Sequence, residues 1–334
     1  GPMQGFRTLY GHTGRRAEWK RLVEESTPDF VDPADDGPLP GREDQWGFVT
    51  EYRVRLAREE RNWAEAERLQ TARVEWDGKR AAPYLEMQTE KLNGAKRNVI
   101  RTLAVSVENL GSVQREIGSD KCVYSYIKGF QLSTKIDDKQ EAAVCSFNLG
   151  RAYSDIAAIR NLDKAGQWYA RSLELRVERD RKGRGACHAQ MGTVAFEQFN
   201  EARANQKSNE ELLEYIKTAL RHYNEALEMI PADAVVDLAA IHNQLGGIYF
   251  SVGNSGKAIH HANQSISYME KAGDYFKAGV IRNNIAVALT QSGRIPDALD
   301  YARAALRNFE TYGDRAADML ERTKALIQQL SEPG

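Results

Sequence analysis

The sequence of 334 residues lacks several features that mark particular protein classes. It has three cysteines, Cys122, Cys145 and Cys187, with no CxxC spacing. We therefore expect reduced, mostly buried thiols rather than a disulfide framework. No apolar run approaches the roughly 18 residues of a membrane helix. Lys and Arg number 46 against 47 acidic residues, so no bulk charge favours nucleic acid or a membrane surface.

Catalytic motifs are also missing. There is no GxSxG and no HExxH, and among six histidines only His260-His261 are adjacent. Gly253-Asn-Ser-Gly-Lys257 departs from a phosphate-binding loop, because Ser251 replaces its first glycine and Ala258 its final Ser or Thr. We predict a non-enzymatic binding module with no metal and no cofactor.

What the chain does contain is a repeated helix–turn–helix pattern, clearest in His242–Lys271. A large apolar residue followed by a small one recurs in five first helices: Leu110-Gly111, Leu149-Gly150, Met191-Gly192, Leu245-Gly246 and Ile285-Ala286. Small or aromatic residues recur on one face of the second helices: Cys122, Tyr126 and Gly129; Ala165, Tyr169 and Ser172; Ala219, Tyr223 and Ala226; Ala258, Ala262 and Ser265; Ala298, Ala302 and Ala305. Small residues at these positions allow two helices to approach closely.

This pattern resembles the tetratricopeptide repeat, with Leu-Gly-x-x-Tyr in its first helix and Ala-x-x-x-aromatic-x-x-Ala in its second. Successive units are about 40 residues apart, and one interval is 54, against about 34 in the standard repeat. The resemblance implies an all-α, right-handed superhelical solenoid of enlarged repeats.

The repeats suggest a division of the chain into four parts. Residues 1–26 are predicted to hold a protease-cleavage scar, Gly1-Pro2, and a partial repeat around Leu9-Tyr10. That first helix is too short for a whole repeat, which favours more polypeptide upstream; a short capping helix is the alternative. The other parts are an acidic, Pro-rich loop at 27–45, repeats at 46–313 with an insertion near 197–211, and a terminal capping helix at 314–334.

Two further expectations concern helix lengths. The insertion is polar and contains no Pro or Gly, so it should form lengthened helices around a short turn. In the degenerate repeat that begins at Trp46, we expect Gly78 and Pro83 to interrupt the helical pattern.

Carboxamide side chains mark the candidate site. The residue before each first-helix pair is Asn109, Asn148, Gln190, Gln244 or Asn284, and Asn243 and Asn283 lie one residue earlier in two repeats. In tetratricopeptide arrays this position faces the concave groove, and the row resembles the asparagine ladder of kinesin light chain repeats. Carboxamides both donate and accept, so we predict that the row binds the backbone of an extended protein or peptide segment. The alternative is that these amides only bridge neighbouring helices.

Three neighbouring side chains complete the predicted site. Arg151 is predicted to receive an acidic group, and Phe196 and Phe250 an apolar side chain.

Longer stretches resemble the repeat arms of bacterial signal-transducing nucleotidases called STAND proteins, relatives of NLR immune receptors. The stretches are Gly273-Asp274, Gly313-Asp314, DFVDPADDGPLPGREDQW, FNLGRAYSDIAAIRNLDKAGQWYARSLELR and ALRNFETYGDRAADMLERTKALIQQL. The resemblance implies a cytoplasmic sensor arm that recognises a trigger and acts on an upstream nucleotidase domain, as in bacterial immunity. The alternatives are a stand-alone scaffold joining two proteins and a small-ligand sensor in which Phe250 stacks on the ligand.

Overall fold

The computed structural model describes residues 16–331 as helices joined by turns and, between residues 27 and 42, by a longer loop that contains one isolated β-bridge, Val31 with Pro38. The partial repeat predicted around Leu9-Tyr10 lies outside the described residues. The helices, in chain order, are α1 (Arg16–Ser26), α2 (Glu43–Glu59), α3 (Trp63–Leu85), α4 (Gly94–Glu116), α5 (Lys121–Lys135), α6 (Lys139–Asp155), α7 (Leu162–Leu175), α8 (Arg181–Ala204), α9 (Asn209–Met229), α10 (Val235–Ser251), α11 (Ser255–Lys271), α12 (Tyr275–Gln291), α13 (Ile295–Glu310) and α14 (Ala317–Ser331).

Successive helices pack on one another in chain order within two compact units. The N-terminal unit is residues 1–176, with α1–α7, and the C-terminal unit is residues 177–334, with α8–α14. In each unit the most extensive contacts join the two helices of a hairpin, from α4 with α5 to α12 with α13. The first helices of adjacent hairpins also contact each other: α4 contacts α6, and α8 contacts α10. The predicted all-α solenoid of helical hairpins is confirmed.

Two joints of the C-terminal unit are built from a glycine followed by a helix-capping residue. Gly253 and Gly273 adopt positive φ angles of 77° and 73°, a conformation that glycine reaches without steric cost at a helix C-terminus. The next residue, Asn254 or Asp274, accepts a hydrogen bond from the backbone N–H three residues on, which caps the following helix. Three residues separate the two helices at each of these joints. Gly273-Asp274 has this role, whereas Gly313 and Asp314 lie inside a short 3-10 helix that precedes α14.

The hairpins are held by glycines that lie against tyrosine rings. A Cβ added at Gly111, Gly150 or Gly192 would come within 2.8, 2.6 or 3.0 Å of the ring of Tyr126, Tyr169 or Tyr223 respectively. All three tyrosines are at most 1% exposed. Where alanine replaces tyrosine on the second helix, as at Ala302, the first helix tolerates Ala286. In these four hairpins the small residue matches the size of its partner, whereas a Cβ added at Gly246, opposite Ala262, is limited by the carbonyl oxygen of Ala258 at 3.3 Å.

The acidic loop is held against α2 and α3 through Asp36. Trp46 Nε1 donates to the carbonyl of Asp36 at 2.7 Å, and Arg53 and Arg68 pair with the Asp36 carboxylate. The helix after the loop begins at Glu43, slightly before the predicted Trp46.

The expectation that Gly78 and Pro83 would interrupt the helix is wrong. α3 continues through both to Leu85. Proline near the end of a helix removes one backbone hydrogen bond, and the carbonyl left free belongs to Lys79, an exposed residue that water can solvate.

The last helix has the two faces expected of a solenoid end. Thr323 and Leu330 are buried, at 0% and 8% exposure, and α14 packs on α12 and α13.

The insertion forms the lengthened ends of α8 and α9 around a four-residue turn, as predicted. Across residues 16–331, no helix is long and apolar enough to cross a membrane.

Replacing Gly150 by alanine should lower the free energy of unfolding of the N-terminal unit by about 1 kcal/mol. Overpacking against Tyr169 costs about 1–3 kcal/mol, and the higher helix propensity of alanine returns about 1 kcal/mol. Urea titration followed by circular dichroism would measure the change. Gly47→Ala is the matched control, because Gly47 lies in a helix of the same unit and a Cβ there meets nothing within 4 Å. Equal or greater stability of Gly150→Ala would contradict the close-packing argument.

Candidate functional site

Five of the seven predicted carboxamides are available to a ligand. They make no side-chain hydrogen bond to any residue of the described range, and each is at least partly exposed: Asn109, Gln190, Asn243, Gln244 and Asn284. They occupy α4, α8, α10 and α12, all first helices of their hairpins.

Asn148 is engaged within the N-terminal unit. Its Nδ2 donates to Glu108 Oε1 at 2.6 Å, and Ser112 Oγ donates to the same oxygen at 2.9 Å. Since Glu108 lies on α4 and Asn148 on α6, the contact joins two adjacent first helices. Asn148 therefore follows the bridging alternative rather than presenting a free amide.

Asn283 is also engaged. Its Oδ1 accepts a hydrogen bond from Thr323 Oγ1 at 3.1 Å. Because Thr323 is buried on the terminal helix, this amide serves the packing of α14, whereas the following residue, Asn284, is exposed.

Arg151, which was predicted to bind an acidic group of a partner, already lies near an acidic residue of its own chain. Arg151 Nε lies 3.8 Å from Asp155 Oδ2, and Arg115 Nη1 donates to that oxygen at 3.1 Å. The Arg151 side chain is nevertheless 40% exposed, so an external carboxylate would compete with Asp155 rather than meet a free cation.

The two predicted phenylalanines differ in their surroundings. Phe196 stacks on Phe199 with ring centroids 5.9 Å apart, and it packs against the core formed by α8, α9 and α10. Phe250 is half-buried near the end of α10, three residues from exposed Gly247. Phe250 is the better placed of the two to receive an external apolar group.

The surface around Gly247 forms an open face of the C-terminal unit. Asn243, Gly247 and Phe250 have the i, i+4, i+7 spacing of one helix side. On the next first helix, the positions equivalent to Gln244 and Gly247 hold Asn284, which is exposed, and Val287, which is 40% exposed. We define the recognition face as Asn243, Gln244, Gly247 and Phe250 of α10 with Asn284 and Val287 of α12.

The N-terminal unit carries an acidic cluster around Glu108. Burial raises the pKa of Glu108, although the hydrogen bonds from Ser112 and Asn148 oppose that rise. Burial, with the negative charges of Glu108 and Asp138, raises the pKa of Glu141 to about 7. Glu141 Oε1 also lies 3.8 Å from Cys145 Sγ. All three cysteines are buried and free, as expected from the sequence.

A second polar cluster was missed by sequence reasoning. His188 of α8 meets His222 and Glu225 of α9, and the donor atoms of the three side chains lie within 4.8 Å of one another. Burial lowers the pKa of both histidines, that of His222 to about 4. The two histidines are 34 residues apart in the chain, so adjacency in sequence could not reveal the cluster. Their repeat positions could have revealed it, since His188 precedes Gly192 by four residues and His222 follows Ala219 by three.

A cavity of about 330 Å³ lies in the N-terminal unit and is lined by residues of α2, α3 and α4. Two of its lining residues have buried donors with no hydrogen-bond partner in the described part of the chain, Trp76 Nε1 and Arg73 Nη1. Arg73 Nη1 is 3.8 Å from Glu51 Oε2, which is too long for a hydrogen bond. The small-ligand alternative placed its ligand at Phe250, which belongs to the other unit.

Comparison with known families supports the repeat assignment for part of the chain. Residues 237–311 match a family model described as Tetratricopeptide repeat. This stretch extends from the start of α10 to the end of α13. A search of curated proteins found no match.

Solved structures with similar folds include BtubC (BKLC) from P. vanneervenii, at 17% identity, with 78% of this chain and 94% of that chain covered and a TM-score of 0.50. The human IFIT1 dimer with m7Gppp-AAAA is 13% identical, with coverage of 98% and 76% and a TM-score of 0.50. The Rap conjugation gene regulator of plasmid pLS20 in complex with the Phr* peptide is 16% identical, with coverage of 87% and 76% and a TM-score of 0.48. Such identities show the fold alone. The family match and the repeated hairpins together support an array of tetratricopeptide-type repeats.

Replacing Glu141 by glutamine should reduce the pH dependence of stability. The pKa of Glu141 is raised from 4.5 to about 7, so between these values the folded chain binds a proton that the unfolded chain has released. This stabilisation is fully present below pH 4.5 and is lost as pH rises through 7. It amounts to about 1–2 kcal/mol after allowance for partial exposure.

Urea unfolding of the wild type and Glu141→Gln at pH 5, 6, 7 and 8 would measure that contribution. The groups that share this environment, Glu108, Asp138, Cys145 and Arg101, remain in both proteins, so the difference reports the titration of Glu141 together with its coupling to them. Glu75→Gln, at an exposed position of α3, is the control and should keep the wild-type slope. A slope unchanged by Glu141→Gln would contradict the raised pKa.

Proposed function

We propose that this chain is a recognition module that binds an extended protein or peptide segment on the recognition face of its C-terminal unit. The free amides of Gln244 and Asn284 bond to the backbone of the segment, and Phe250 and Val287 contact its apolar side chains. The bound segment needs no particular charge, since the face contains no ionisable side chain.

The observation that supports this most directly is the glycine at position 247. Gly246 is needed for packing, because a Cβ there would lie 3.3 Å from the carbonyl oxygen of Ala258. A Cβ added at Gly247 would meet no other atom within 4 Å, and this residue is exposed. A glycine inside a helix costs about 1 kcal/mol relative to alanine, and the fold gains no contact in return. A ligand backbone that approaches α10 closely would account for it.

The finer proposal is that this module is the sensor arm of a larger STAND-type signalling nucleotidase in the cytoplasm. It follows from the resemblance in sequence, and the recognition face would hold the trigger. A stand-alone scaffold would use the same face but without a switch, so the two proposals differ in what accompanies this chain rather than in its surface.

Removing the two free amides should weaken peptide binding by at least tenfold. Peptides would be selected from a random displayed library on the wild-type chain, and their affinities measured for Gln244→Ala/Asn284→Ala by fluorescence anisotropy. Gln264→Ala is the control, because it removes an exposed carboxamide from the second helix α11. Retained affinity in the double variant, or an equal loss in the control, would exclude this face as the binding site.

Gly247→Ala separates folding from recognition. It should raise the free energy of unfolding by about 0.5–1 kcal/mol through helix propensity and weaken the selected peptides at least fivefold by blocking close approach. A variant that is more stable and binds normally would refute the proposed role of Gly247.

The sensor-arm proposal predicts that the native polypeptide is much longer than this chain. Its mass and upstream peptides, determined from the source cells, should include a phosphate-binding loop of the nucleotidase type. A native product that starts close to Gln4 would leave the scaffold as the supported function.

A further inference from the structure

We propose that His188, His222 and Glu225 form a zinc site that links the two helices of the α8–α9 hairpin. The inference is independent of the peptide-binding proposal, because none of the three residues belongs to the recognition face.

The donor atoms already have the spacing that zinc requires. His188 Nδ1 lies 3.1 Å from His222 Nδ1 and 2.8 Å from Glu225 Oε2, and His222 Nδ1 lies 3.3 Å from the same oxygen. Ligands about 2.0–2.1 Å from a tetrahedral zinc ion are roughly 3.3 Å apart. The three atoms therefore approximate one face of the tetrahedron, and water would complete the coordination. Two imidazoles and one carboxylate are a donor set that suits Zn²⁺.

The helices hold these side chains in place without a metal. Gly185 and Gly192 flank His188 on α8 and bring it close to α9, where an added Cβ would contact Ile230 or Tyr223 respectively. His222 and Glu225 are three residues apart on α9 and so share a face. The histidine side chains are 9% and 12% exposed and that of Glu225 is 34% exposed, which leaves an entry path beside the carboxylate.

The next hairpin provides an internal comparison. His242 and His261 occupy the same repeat positions as His188 and His222, and their Nδ1 atoms are 2.9 Å apart. The position equivalent to Glu225 is Gln264, so this second pair lacks the carboxylate. The carboxylate therefore distinguishes a three-donor site from a hydrogen-bonded histidine pair in the same register.

Arg221 competes with the metal. Its Nη2 lies 3.2 Å from His222 Nε2, and its Nη1 lies 3.3 Å from both oxygens of Glu225. A histidine bound to zinc through Nδ1 carries a proton on Nε2, so Arg221 must move away when zinc binds. The Arg221 side chain is 57% exposed and has solvent into which it can move.

Zinc titration of the metal-free full chain, in competition with a chromophoric chelator, tests the site. The wild type should bind one equivalent, and Glu225→Gln and His222→Gln should each weaken binding at least tenfold. His261→Gln, the matched control, should change the affinity less than twofold. Arg221→Gln should increase it. Circular dichroism without metal would verify that each variant is folded.

Cobalt provides a second readout, because its visible absorption reports the coordination geometry. The wild type should show the intense bands of tetrahedral cobalt, and Glu225→Gln should not. The proposal is overturned if folded wild type binds no zinc at micromolar concentration. It is also overturned if Glu225→Gln binds like the wild type, or if His261→Gln loses as much affinity as His222→Gln.

Discussion

The contact between a first-helix glycine and a second-helix tyrosine ring sets the geometry of three hairpins, α4–α5, α6–α7 and α8–α9. At Gly111, Gly150 and Gly192 the ring occupies the space in which any larger residue would place its Cβ. This contact fixes the distance and the register between the two helices, because a shift by one residue would bring a side chain against the ring. In these three hairpins the other repeated positions follow from that register, including the amides of Asn109, Asn148 and Gln190 and the histidines between α8 and α9.

Much of the fold follows from sequence for the same reason. Pairs such as Leu149-Gly150, followed by Tyr169, specify both partners of a local contact, so periodicity alone predicts the hairpins. The continuation of α3 through Gly78 and Pro83 escaped prediction, since these residues reduce helix propensity without abolishing it and packing on α4 outweighs them. Local propensity is a weak guide where tertiary contacts decide.

The candidate site was less predictable. A repeat position specifies the place of a residue on its helix but not the side chains that it contacts. Asn148 and Gln244 occupy equivalent positions, yet Asn148 bonds to Glu108 while Gln244 remains free. Asn283 and Asn243 differ similarly, because only Asn283 has the terminal helix beside it. The cluster of His188 with Glu225 depends on two helices meeting, and comparison of repeat registers was the signal that could have revealed it.

The long α8–α9 hairpin shows how such a repeat can change in length. From Gly192, α8 continues for 12 residues to Ala204, whereas α10 continues for five from Gly246 to Ser251. On the returning helix, 14 residues of α9 precede Tyr223, against seven of α11 before Ala262. Both arms are thus longer by seven residues, which is about two helical turns. Growth by whole turns returns each side chain to its original direction, so the hairpin could lengthen at its tip while the packed base and its neighbours remained undisturbed.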